Sequence, residues 1–238
     1  MQDVLKIIQE RQSTRAPFDP KRSVAKKDLE QILEAARWSP TPHNMQNFEI
    51  IVVDDKELLS KLGKIKSPIT EEFLRENYQQ LSFSEEELRR RKTGLLGKWF
   101  STEWKNPAKF SEVTRKSAPM QLNQFIDGSS TLLMVVYDSR KRAPASEGDF
   151  LGIVSLGCIM ENMWLAAQSL GIAFHIISDF GEGDVEKEAK RILNIPDHMK
   201  IAFGCRLGYP LSKPKQLRVR RDVKDFAHHN RFGNKNLF

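Results

Sequence analysis

Ser39-Pro40-Thr41-Pro42-His43-Asn44-Met45-Gln46-Asn47-Phe48 is the stretch from which the rest of this 238-residue chain can be placed. Pro40 and Pro42 cannot continue a helix, and each pushes the residue before it toward extended backbone. Upstream, Leu29, Ile32, Leu33 and Ala36 recur at the i, i+3, i+4, i+7 spacing of one helix face, so a helix over 26–38 ends at the prolines. Downstream, Phe48-Glu49-Ile50-Ile51-Val52-Val53 is rich in β-branched residues and reads as a buried strand. The loop therefore joins a helix directly to the mouth of a strand.

Working back toward the N-terminus, residues 2–10 read as a helix with Val4, Ile7 and Ile8 on one face. Arg11-Gln12-Ser13-Thr14-Arg15 follows, with two guanidinium groups and two hydroxyls in five residues. Arginine is a rigid, bidentate donor suited to phosphate. Ser13 and Thr14 can donate to a phosphate or to a polar ring edge. Two readings stand: an anion cradle for a phosphorylated cofactor, or a helix end whose arginines pair with surface carboxylates. Pro17 and Pro20 keep the next segment extended.

Beyond the first strand a helix covers 56–65. The segment 67–117 is charged, and its helices read as short and amphipathic. Ser84 with Glu87 has capping-box spacing. Arg89, Arg90, Arg91 and Lys92 form the densest basic run, and Trp99, Phe100, Trp104 and Phe110 are scattered through the segment. It reads either as a helical excursion with its basic run on a solvated face, or as a lid that brings aromatics over a ligand. Thr131 to Tyr137 is a second buried strand. The longest helix covers 149–170, with Asp149 as N-cap and Gly171 as its stop. It is apolar nearly all round, which implies burial on all sides, in a large core or between subunits. Ile172 to Ser178 is a third strand, a short helix covers 184–193, and Lys200 to Leu207 is a fourth strand. Gly208-Tyr209-Pro210 breaks the pattern, and a basic, polar tail runs to Phe238. The paired first helices and the long excursion between the first two strands favour α+β over a doubly wound sheet.

Composition bounds the function. The chain is 39% hydrophobic and 29% charged, ordinary for a globular protein. Thirty-eight basic and 31 acidic residues give a net charge of +7. Acidic residues interleave with the basic ones and no nucleic-acid-binding motif is present, so an anionic small molecule suits the charge better than nucleic acid. No run of 18 apolar residues implies a membrane span, and no secretory signal is visible; a cytoplasmic protein is expected. Cys158 and Cys205 lack metal spacing and read as reduced core thiols. Adjacent His228 and His229 point apart and make a poor metal pair. Gly181-Glu182-Gly183 is too short for a dinucleotide fingerprint, and Gly94 to Lys98 has the wrong spacing for a P-loop. With no nucleophile elbow and no obvious acid, base or metal site, a cofactor is left to carry any chemistry.

Arg11-x-Ser13-x-Arg15 followed by Pro40-Thr41-x-x-Asn44-x-Gln46 resembles the FMN-dependent nitroreductase family. Thr41, Asn47 and Phe48 stand where that family usually has Ser, Pro and Trp. Leu165 to Ile172 resembles the end of its long central helix, and Gly204 to Pro210 its closing strand. The resemblance covers most of the chain outside 67–117. It implies a central, mainly antiparallel sheet flanked by helices in one domain over 1–238. It also implies a domain-swapped homodimer, with the tail 211–238 crossing to the partner and FMN at the interface. It further implies a cofactor site. Arg11, Gln12, Ser13, Thr14 and Arg15 would hold the phosphate and ribityl chain. Pro40, Thr41, Pro42, Asn44 and Gln46 would line the ribityl or ring. Ile176, Ile177 and Ser178 would pass near the ring, and Arg220 or Arg221 would reach the phosphate. The expected activity is reduction of nitroaromatics, quinones or related small acceptors by NADPH or NADH in a ping-pong sequence. The alternatives are a flavin-sequestering protein with little turnover, or a reductive dehalogenase-type branch of the same family. The basic run Arg89 to Lys92 weakly favours NADPH.

Overall fold

The computed structural model describes residues 4–98, 100–212 and 217–236. Residues 2 and 3 of the expected first helix and Trp99 of the excursion lie outside them. The chain divides into two compact units. One comprises Met1–Ser67 with Met120–Pro214, the other Pro68–Pro119 with Lys215–Phe238. The charged excursion and the tail thus fall together in the second unit.

The first unit is built from α1 (Val4–Glu10), α2 (Lys26–Arg37), β1 (Phe48–Val53), α3 (Lys56–Gly63), β2 (Thr131–Asp138), α4 (Phe150–Ser169), β3 (Ala173–Ile177), α5 (Gly183–Leu193) and β4 (Met199–Gly208). The four strands form one sheet in the order β1-β2-β4-β3, antiparallel at every step. Phe48 pairs with Tyr137, Thr131 with Leu207, and Ala173 with Gly208. Strand alternation sorts the core into two layers. Leu132, Met134 and Val136 pack with residues of α3 and α5, while Leu133 and Val135 pack with residues of α2 and α4. In β4 the register passes from Phe203, opposite Val135, to Ile201, opposite Val136, and skips Ala202. That one-residue bulge lets Phe203, Cys205 and Leu207 face the α2–α4 layer while Ile201 faces the other. Arg206, between Cys205 and Leu207, is left on the α3–α5 side of the sheet.

Several expectations need correction. The strand β1 is not buried throughout; as the sheet's edge it has a neighbour on one side only, and Val53 alone is fully buried. Asp149 does not cap α4 with its side chain. Its backbone is left-handed (φ +56°), and its carboxylate accepts from the Ala143 N–H instead. The Ser146 hydroxyl takes over, accepting from the Leu151 N–H at 3.0 Å. Finally, α4 is not buried on all sides within one chain. Ile159, Met163, Trp164 and Ala167 pack toward the sheet, but Phe150 (66% exposed), Leu151, Ile153 (58%) and Val154 do not. Contrary to the expectation from apolar runs, α4 is long and apolar enough to cross a membrane, and one face of it packs into the α2–α4 layer of the sandwich. Val4, Leu5 and Ile8 of α1 are likewise exposed. Gly171 does stop α4, at φ +69°, with Ile172 N–H bonded back to the Ala167 carbonyl. Cys205 is fully buried, which pushes its thiol up out of reactive range, while Cys158 is only half-buried.

In the second unit Tyr78 packs against Phe100 and Trp104, with ring centroids 4.2 and 5.0 Å away. The Ser84–Glu87 capping box is formed and starts the helix Glu85–Arg91. Arg89 pairs with Glu85, Arg91 with Glu87, and Lys92 with Asp222 of the tail. Three of the four residues of the basic run are therefore paired with carboxylates.

Candidate functional site

After α1 the chain leaves helical geometry and runs beside the edge strand β3. Ser13 forms an isolated parallel bridge with Phe174, and the Thr14 N–H donates to the Phe174 carbonyl at 3.0 Å. Pro17 and Pro20 keep the chain extended onward. It then crosses the end of β4: Phe18 bridges Pro210, and the Asp19 N–H donates to the Tyr209 carbonyl at 2.8 Å. Close approach here depends on glycine. A Cβ on Gly208 would sit 2.6 Å from the Phe18 ring, and one on Gly128 (φ +76°) would sit 2.3 Å from the Phe18 carbonyl oxygen.

Under this segment lies Arg206, 1% exposed. Its guanidinium donates to the Thr14 and Ala16 carbonyls at 3.3 and 2.9 Å and to the Asp127 carbonyl at 3.5 Å. It also donates to His175 Nδ1 at 3.2 Å and stacks 4.1 Å from the Phe18 ring centre. Because Nδ1 accepts, the His175 proton is on Nε2. Burial and the charges of Arg206 and Arg15 push His175 down to about 3, so it is neutral at physiological pH. Burial lowers Arg206 to about 10, which leaves it cationic. Among the described residues no carboxylate forms an ion pair with Arg206; that of Asp127 acts on it only through its field.

The residues of the arginine-rich turn have different surroundings. Thr14 is buried, Gln12 and Ser13 are half-buried, and Arg15 is exposed, with no ion pair to any described residue. Arg11 is engaged: its Nε lies 3.0 Å from Glu161 of α4, and its guanidinium stacks 4.2 Å from the Trp164 ring centre. For Arg11 the structure thus displays the second reading, pairing with a carboxylate.

The chain leading into the Pro40–Gln46 loop is held by the same helix. Asn162 of α4 donates to the Ser39 hydroxyl at 2.9 Å and to the Ala35 carbonyl at 3.3 Å. Three of its non-glycine residues have left-handed backbone: His43 (φ +51°), Asn44 (+53°) and Gln46 (+44°). Each such residue costs about 1 kcal/mol or more, and such strain gathers at ligand clamps. The Gln46 amide donates to Asn44 Oδ1 at 2.9 Å, and its N–H donates to the Thr41 hydroxyl at 3.2 Å. Thr41, Asn44 and Gln46 wall an open depression of about 420 Å³. A larger one, about 800 Å³, opens near Lys21, Lys64 and Ser129, but Asp54 and Asp127 line it as well, so it has little bias toward an anion.

The arginine-rich turn and the proline loop are thus brought to neighbouring residues of α4, Glu161 and Asn162. On β3 the Ile176 side chain faces the α2–α4 layer, half-buried, whereas that of Ile177 is buried in the opposite core. Ile177 can offer a ligand only its backbone. Ser178 is exposed and begins the turn Ser178–Gly181. Arg220 and Arg221 belong to the second unit and are exposed there; Arg220 donates to the Val219 carbonyl, and Arg221 lies 5.6 Å from the Phe226 ring. Sequence reasoning quoted Arg206 only as part of a closing strand. The signal for it was a lone arginine inside the apolar run Ile201 to Leu207.

A four-stranded antiparallel sheet between two helical layers, with a basic turn along its edge strand, defines an α+β sandwich. The chain belongs to the nitroreductase family, whose sequence model matches residues 8–209. It is 39% identical over 226 residues to a protein of Archaeoglobus fulgidus provisionally named NADH dehydrogenase/NAD(P)H nitroreductase, covering 95% of this chain and 90% of that one. An NADPH-flavin oxidoreductase of Vibrio harveyi is 26% identical over 136 residues, 53% of this chain and 55% of that one. Its fold is shared by a nitroreductase with bound FMN from Desulfitobacterium hafniense, at a TM-score of 0.58 and 21% identity over 96% of this chain and 98% of that one.

Proposed function

We propose that the protein is an FMN-dependent NAD(P)H oxidoreductase that passes electrons to nitroaromatics, quinones or related small acceptors. The observation that carries this reading is the convergence of two motif stretches on α4, Arg11 on Glu161 and Ser39 on Asn162. One stretch suits a phosphate and the other a polar ring.

The donor set fits FMN. A terminal phosphate carries nearly two negative charges. Arg15 is exposed, with no ion pair to any described residue, and Ser13 is only half-buried. Arg11 can turn from Glu161 or share it. Asn44 and Gln46, already bonded to each other, present amide groups of both polarities to the depression beside Thr41. When bound, FMN supplies two-electron chemistry, accepting hydride from a nicotinamide and returning electrons to an acceptor. The chain's part is to bind and orient it: the strained loop fixes the ring's polar partners in advance, and the segment along β3 fixes the phosphate end.

Two copies of the chain are part of the proposal. The exposed apolar residues of α4 and α1 need a cover, and a second copy supplies one by symmetry. Arg89, Arg91 and Lys92 are already paired with carboxylates, which weakens the ground for preferring NADPH, so either nicotinamide serves. The test is steady-state NAD(P)H oxidation by the FMN-loaded protein with a quinone. Parallel double-reciprocal lines are expected. Intersecting lines contradict the shared-site sequence, and binding of FMN without turnover contradicts the enzyme in favour of a flavin-sequestering protein.

A further inference from the structure

We propose that Arg206 is a positioning residue for the cofactor phosphate: a buried cation, without an ion pair among the described residues, that both holds the Thr14–Ala16 backbone and biases the cradle toward an anion. The inference rests on the FMN reading above.

Four features of the geometry support it. Arg206 is 1% exposed, yet it donates to three carbonyls and a neutral imidazole rather than to a carboxylate. A buried cation is costly to keep without a counter-charge, and a purely structural clamp is more cheaply made from neutral donors. Two of its acceptors, the Thr14 and Ala16 carbonyls, flank Arg15, so its position sets the backbone from which the exposed arginine projects. Its fourth partner, His175, adds no positive charge beside the cradle, because its accepting Nδ1 keeps the ring neutral. Arg206 and Arg15 both act on His175, which places the two charges on one small region of the molecule. An arriving phosphate would be drawn by both charges while directly touching only the exposed group.

The chemistry predicts a separable effect. The charge of Arg206 should favour FMN over riboflavin, which has the same ring and ribityl chain but no phosphate. A merely structural role should affect both flavins alike. The experiment is fluorescence titration of the flavin-free protein with FMN and with riboflavin, for wild type, Arg206→Gln and Arg206→Lys. Arg206→Gln keeps side-chain donors near the carbonyls and removes the charge. It should lower the FMN-over-riboflavin preference about tenfold and leave riboflavin affinity within about twofold. Arg206→Lys should keep the preference within about threefold of wild type even where its melting temperature falls. Equal losses for both flavins in Arg206→Gln, or an unchanged preference, overturn the inference. If Arg206→Gln does not fold, Arg206→Met, which also removes the charge, takes its place: a tenfold lower preference supports the inference, and an unchanged preference overturns it. Wild-type protein that binds neither flavin defeats the FMN reading itself; wild type that prefers FMN beside an Arg206→Gln variant that prefers it equally defeats only this inference.

Discussion

Replacing His175 by Gln should flatten the acid dependence of stability. His175 is 5% exposed, accepts from Arg206, and is also subject to the charge of Arg15; its other ring neighbour is Phe125, with centroids 6.0 Å apart. Its folded pKa of about 3 lies below the unfolded value of 6.5. Between those values the unfolded chain holds one proton that the folded chain refuses. The stabilisation is therefore complete above pH 6.5 and is lost as pH falls toward 3. One proton corresponds to about 1.4 kcal/mol per pH unit; with the unfolded group half-protonated at pH 6.5, the loss between pH 7.0 and 4.5 is about 2.5 kcal/mol. The other acidic groups held below their ordinary range, Asp184 and Asp222 among them, act lower. Asp138, held far below the usual carboxylate range chiefly by its hydrogen bond from Arg140, starts from 3.8, and Glu34, Glu85, Glu112 and Glu188 start from 4.5. Gln can accept from Arg206 Nε without titrating. The assay is urea unfolding of flavin-free protein at one fixed concentration, at pH 7.0 and 4.5. Wild type should lose about 2–3 kcal/mol more than His175→Gln over that interval. Equal losses in the two proteins would refute the reasoning.

Other substitutions probe the cradle, its packing and the assembly. Arg15→Ala should weaken FMN binding about 10- to 100-fold, the value of a charge-assisted hydrogen bond of about 1.5–3 kcal/mol; Arg220→Ala and Arg221→Ala, titrated alongside, test the role expected of the tail. Gly208→Ala places a Cβ 2.6 Å from the Phe18 ring and should cost about 1–3 kcal/mol, read as a lower melting temperature; an unchanged value would show that Phe18 has room to move. Light scattering should find a dimer for wild type, and Ile153→Glu, which puts a charge on the exposed apolar face of α4, should shift it toward monomer. A wild-type monomer that binds FMN would contradict the two-copy proposal.

Much of this architecture was legible in the residues because it is local. Thr131 to Tyr137 is an uninterrupted apolar, β-branched run, and the structure places it as a central strand buried on both faces. Ser84 and Glu87 announced a capping box that forms, and Gly171 announced the end of α4. The contacts that define the site are long-range and were not legible. Nothing near Arg11 in sequence identifies Glu161 as its partner, and nothing near Arg206 shows that its carbonyl acceptors lie at Thr14 and Ala16. Periodicity also cannot separate an edge strand from a central one, which is why Phe48 to Val53 was read as buried. The left-handed residues His43, Asn44 and Gln46 carry no glycine to advertise them. Asp149 had the residue type and place of an N-cap, but its backbone turns the carboxylate toward Ala143.

The central claim, a nicotinamide-reducible FMN held by this chain, is tested most directly by one visible spectrum taken during anaerobic addition of NADPH and then NADH. The purified protein, after incubation with FMN and removal of the excess, should show a bound flavin band that at least one nicotinamide bleaches. A protein that retains no flavin band, or one whose band dithionite bleaches while neither nicotinamide does, would contradict the account.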